Sequence, residues 1–146
     1  MKKLLLVALC MLSMNVFACS KNGGNQKVDE KLPTTARFSN QFRVFWHDFV
    51  YEVNNSKKGL KKFKPSDEMV EHYGLAKEGK TYYFTGYLIT AGKNFDAEAV
   101  SKMGVQLNEL ITDTYSFRCP LNLLPEFVKV TGVKTFEGGK TLKMLH

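Results

Sequence analysis

The chain has 146 residues, 44% hydrophobic and 24% charged, with 11 Gly and 4 Pro. That composition suits one globular domain and excludes multi-domain enzymes, collagen-like repeats and chains too polar to fold. The formal net charge of +7 is concentrated early: residues 38–146 carry 15 Lys and Arg against 12 Asp and Glu, a net of +3. Nucleic-acid binding needs a dense row of cations to displace counterions from phosphate, so no nucleic-acid partner is expected.

Residues 1–18 read as a secretory signal, with Lys2 and Lys3 ahead of an apolar run from Leu4 to Leu12. The run is shorter than the roughly 20 apolar residues a membrane span needs. Of the three cysteines, Cys10 leaves with the leader, Cys19 follows the cleavage site and Cys119 stands alone in an alternating pattern. Cys119 therefore reads as a buried structural thiol, and apolar burial rather than a disulfide is expected to hold the domain.

Val16-Phe17-Ala18-Cys19 resembles the lipobox of bacterial lipoproteins. That resemblance implies an acylated Cys19 that holds the protein at a membrane, with Ser20 matching the outer-membrane sorting pattern. Residues 19–37 contain Gly23-Gly24 and Pro33 and few apolar side chains, and read as a flexible tether.

From Phe38 the apolar residues Phe42, Phe45, Trp46, Phe49, Val50 and Val53 recur at helical spacing behind Ser39, a good N-cap. Residues 38–65 are thus expected to form an amphipathic helix followed by a basic loop of Lys57, Lys58, Lys61, Lys62 and Lys64. The loop reads as a solvated surface, or as one attracted to an anionic membrane. Ser66-Asp67-Glu68 opens a short helix that Gly74 stops.

Thr81 to Ile89 reads as a strand, and Asp96 or Asn94 caps a helix ended by Gly104. Val105, Leu107 and Ile111 form a second strand, and Tyr115, Phe117 and Cys119 a third, joined at Thr112-Asp113. A helix begun near Asn122 carries Leu124, Phe127 and Val128 and closes at Gly132, before a last strand from Val133 to Phe136. The expected class is α+β: a ferredoxin-like βαββαβ antiparallel sheet with two helices on one face, preceded by the extra amphipathic helix.

Within residues 66–146, three segments resemble the propeptide-type inhibitor domain of subtilisin-like serine proteases. They are Met103-Gly104-Val105, Phe117-Arg118-Cys119-Pro120-Leu121 with its following helix, and Gly132-Val133-Lys134-Thr135-Phe136-Glu137. The resemblance implies a sheet that packs on the protease and a C-terminal tail, Leu142, Lys143, Met144, Leu145 and His146, lying product-like in the active-site cleft. By the same resemblance Glu137 caps a helix of the protease, Leu142 fills the fourth pocket, and Leu145 fills the first unless a one-residue slide puts His146 there.

With no protease domain following and no Ser/His/Asp set to assemble, the chain resembles stand-alone lipoprotein inhibitors of the potempin type, acting as a monomer or in a 1:1 complex. No enzymatic activity, cofactor or metal is expected, since His47, His72 and His146 lack ligand spacing. An acylphosphatase-like enzyme would need an arginine in a Gly-rich loop, and Thr90-Ala91-Gly92-Lys93-Asn94 has none. A non-inhibitory envelope adaptor is the alternative.

Overall fold

The computed structural model describes residues 26–138. The signal segment, Cys19 and the tail residues Leu142 to His146 lie outside them. Among the described residues, four helices and six strands make an α+β fold with one mixed sheet.

The aromatic stripe forms helix α1 (Asn40–Asn55), whose Ser39 hydroxyl accepts from the Phe42 amide. The helix buries Phe42, Phe45, Trp46, Phe49, Val50 and Val53, and each large side chain contributes about 2–3 kcal/mol by leaving water. Helix α2 (Asp67–Tyr73) starts at Ser66 and stops at left-handed Gly74, as its spacing predicts. Glu52 of α1 accepts from both the amide and the hydroxyl of Ser66, which ties the two helices together.

The sheet contains β1 (Arg37–Phe38), β2 (Ala76–Glu78), β3 (Thr81–Thr90), β4 (Gln106–Ile111), β5 (Thr114–Pro120) and β6 (Val133–Gly138). Its order is β1-β6-β3-β5-β4, with β2 paired to the start of β3. Among the described residues, only the β1–β6 pair is parallel. Helix α3 (Ala97–Lys102), capped by Asp96, links β3 to β4. A 3-10 turn and the short helix α4 (Leu124–Phe127) link β5 to β6.

Strand alternation sends Phe84, Leu88 and Thr90 of β3, Phe117 and Cys119 of β5, and Phe136 of β6 to one side, where they are buried. The helices contribute to the same apolar cluster, which runs from Val28 to Phe136 among the described residues. Residues 20–146 therefore contain the whole of that cluster.

Three expectations change. Residues 26–37 do not hang free: Val28 exchanges two hydrogen bonds with the Asn54 side chain, Trp46 donates to the Glu30 carbonyl at 3.0 Å, and Arg37–Phe38 pair with β6. The polar composition hid these contacts because the partners are a side-chain amide, an indole and a backbone edge rather than an apolar stripe. The helix expected from Asn122 to Gly132 is a 3-10 turn and one α-helical turn: Pro125 has no N–H for the Leu121 carbonyl, so the α-helix begins only at Leu124, and after Phe127 it closes in three-residue bonds from Lys129 to Glu126 and from Val130 to Phe127. Ile111 points outward, 69% exposed, because a register shift between Glu109 and Ile111 breaks the alternation on this outer strand.

Two glycines face each other across β3 and β6, Gly86 opposite Gly138. A Cβ on Gly86 would lie 2.1 Å from the Glu137 carbonyl oxygen and 2.8 Å from the Phe117 ring. Gly86→Ala is expected to cost about 2–3 kcal/mol, read as a lower urea midpoint for residues 20–146. An unchanged midpoint would show that the strands part without strain.

Candidate functional site

The alternation that buries one side of the sheet leaves the other side uncovered. Register places Glu137, Tyr87, Ser116 and Asn108 side by side across β6, β3, β5 and β4. Thr85, Arg118 and Gln106 form the next row. A shallow trough of about 450 Å³ lies over these rows, lined by Thr85, Tyr87, Gln106, Asn108, Ser116 and Arg118.

Arg118 is held rather than free. Its guanidinium pairs with Glu78 of β2 at 3.3 Å and lies over the Tyr83 ring at 4.2 Å. Stacking and pairing together limit its rotamers, so the face presents a positioned cation among hydroxyls and amides. That chemistry suits docking a polar surface.

Glu137, the residue expected to cap a partner helix, is exposed on this face beside Tyr87. One residue later the chain is fixed. Gly138 donates to the Ser39 hydroxyl at 3.4 Å, and a Cβ there would meet the Phe84 ring at 2.3 Å. The strand therefore delivers its end to one place, between the uncovered face and the start of α1.

Beside Gly138 is a depression of about 330 Å³ lined by Asn40, Gln41, Val44, His72, Tyr73 and Phe84. Tyr73 donates to the Asp48 carboxylate on α1, and His47 lies 3.2 Å from the other Asp48 oxygen. The tyrosine hydrogen bond holds the Asp48 carboxyl below its usual range, against the opposing effect of partial burial. Burial first, then the anion beside it, push the Tyr73 hydroxyl well above its ordinary value.

Cys119 is fully buried in the sheet core, and burial alone pushes its thiol far up. That agrees with a structural thiol. After β3, the amides of Thr90 and Ala91 are taken by the carbonyls of Asp113 and Gly132. The segment where a phosphate loop was considered therefore has its first amides engaged. Among the described residues, no three His, Cys, Asp or Glu side chains gather as metal ligands.

Of the residues expected to act, Glu137 alone lies within the described chain. Sequence reasoning missed the Arg118–Glu78–Tyr83 arrangement because β2 is only three residues long, although Gly79-Lys80 between two short runs was an available hairpin signal. Neither a family model, nor a curated protein, nor a solved structure matches the chain.

Asp48 contributes most when ionised, so its contribution is present above the ordinary carboxylate pKa and is lost as pH falls through its depressed folded value. Tyr73→Phe is expected to cost about 0.5–1 kcal/mol at neutral pH, allowing for a half-exposed acceptor. Urea titrations should show the gap to the parent shrinking as acid protonates Asp48; a gap independent of pH would assign the loss to packing.

Proposed function

We propose that this protein is a lipid-anchored envelope inhibitor of a subtilisin-like serine protease. It docks through its uncovered sheet face and extends its C-terminal tail into the active-site cleft as an uncleaved product mimic. The strand order β6-β3-β5-β4 is read here as a ferredoxin-like split βαβ sheet, with β1 and β2 as additions.

The observation that carries the reading is the geometry at the end of β6. Glu137 is exposed on the face with no helix over it, and Gly138 is pinned immediately afterwards. On this reading Glu137 accepts the unpaired amides at the N-terminus of a protease helix. The chain beyond Gly138 then runs extended, pairing its backbone with the cleft while Leu142 and Leu145 fill the fourth and first pockets. A one-residue slide puts His146 in the first pocket instead.

The folded body matters because a loose peptide loses ordering entropy when it enters a cleft, whereas a tail launched from a fixed residue loses less. An acylated Cys19 keeps the inhibitor at the membrane, in the outer-membrane envelope, where it meets secreted proteases. The adaptor alternative uses the same sheet face but gives the tail no role.

Residues 20–146 are expected to inhibit at least one subtilisin-type protease at submicromolar concentration. Deleting Lys143 to His146 should weaken inhibition by about a hundredfold or more while the thermal midpoint stays put. Inhibition that survives the deletion would refute the tail mechanism, and no inhibition of any such protease would favour the adaptor. For the register, Leu145→Asp should raise the inhibition constant about 30-fold and His146→Ala far less; the reverse order moves the first pocket to His146.

A further inference from the structure

The basic loop after α1 has features that protease inhibition leaves unused. Between Val53 and Ser66 stand Lys57, Lys58, Lys61, Lys62 and Lys64 and no acidic residue. All five are exposed, and no ion pair among the described residues uses any of them.

The loop is not a loose coil. Gly59 takes φ +66, Leu60–Lys62 form a 3-10 turn, and Leu60 and Phe63 pack against the core. The Phe63 ring meets Phe49 of α1 at 5.6 Å, and Pro65 is buried. Apolar residues at 60, 63 and 65 thus root the loop, while the lysines between them project from a preformed surface.

A helix C-terminus attracts cations, but that effect fades within the last turn. It accounts for Lys57 and Lys58 at most, and Lys61, Lys62 and Lys64 lie beyond it.

The same pole receives the incoming chain. Val28 is held through both its backbone groups by Asn54 in the last turn of α1, at 2.8 and 3.0 Å, and exposed Lys27 precedes it. Cys19 stands eight residues before Lys27 in the sequence. Gly138, the last described residue, lies at the opposite end of α1, beside Ser39. The 16-residue helix separates the two ends by about 24 Å.

We infer that the Lys57–Lys64 loop is a docking surface for an anionic lipid bilayer, which seats the domain with its basic pole on the membrane. The occupant follows from charge complementarity and from where the incoming chain meets the fold. The orientation rests on the lipid-anchor reading of Cys19; the affinity of the loop for anionic lipid does not. Each lysine close to a negatively charged leaflet is worth about fivefold in binding, and the attraction is screened by salt.

The test uses residues 20–146, which lack Cys19 and so bind without a lipid chain, in sedimentation with vesicles. The parent is expected to bind phosphatidylcholine vesicles containing about one third phosphatidylglycerol, to ignore pure phosphatidylcholine, and to dissociate in about 0.5 M salt. Substituting Gln at Lys57, Lys58, Lys61, Lys62 and Lys64 should lower binding about a thousandfold or more. A charge-matched variant with Gln at the exposed Lys80, Lys93, Lys102, Lys129 and Lys134 should stay within about threefold of the parent. If the quintuple loop variant does not fold, Lys61→Gln with Lys62→Gln should still lower binding about 25-fold.

No binding to anionic vesicles, equal losses in the two charge-matched variants, or binding to an RNA oligomer without binding to vesicles would each overturn the proposal. Neither the tail nor the protease enters this measurement, so its failure leaves the inhibitor reading standing. Membrane release of the cellular protein by Cys19→Ala reads the lipid anchor separately.

Discussion

The constraint on which the fold depends is close packing of aromatic rings between α1 and the sheet. Phe45 stacks on Phe84 at 3.9 Å, and Phe42 meets Phe84 edge-on at 5.4 Å and Phe136 at 5.8 Å. Offset and edge-on arrangements favour the ring quadrupole and add to the area buried. Such close approach requires a strand that carries no side chain at the contact, which Gly138 provides: a Cβ there would run into the Phe84 ring and press on Phe42 of α1. The helix therefore cannot shift without moving the end of β6, and one packing solution sets both the core and the point from which the chain emerges.

That solution is one-sided. The phenylalanines and the tryptophan of the helices and strands serve a single cluster, so the opposite side of the sheet keeps Thr85, Tyr87, Ser116 and Arg118 at its surface. An antiparallel sheet tolerates a wet face, and a polar one is soluble until a partner arrives. In the proposed inhibitor, the covered face sets the launch point and the bare face holds the enzyme. The basic pole and the end of β6 lie at opposite ends of α1, so on this proposal membrane seating and protease engagement do not compete for the same surface.

Much of this was legible in the residues because it is local. Helical spacing of Phe42, Phe45, Phe49 and Val53, the caps at Ser39, Ser66 and Asp96, and the stop at Gly74 follow from chemistry within one turn. The turn at Thr112-Asp113, with Asp113 at φ +62, is local too. What stayed hidden depends on distant partners. Nothing near Val28 announces that Asn54 will hold it, and Arg37–Phe38 become a strand only because β6 offers a free edge. Glu137 could be named in advance, but its place beside Tyr87 is a matter of sheet register, which is set by pairing across some 50 residues.

The central claim is that the folded body presents the tail, rather than the tail acting as a free peptide. It is tested most directly by comparing inhibition constants against one susceptible subtilisin-type protease for residues 20–146 and for a synthetic peptide of residues 137–146. The account predicts that the folded chain binds at least about a hundredfold more tightly, because docking and pre-ordering are lost in the peptide. Equal constants for the two would contradict it.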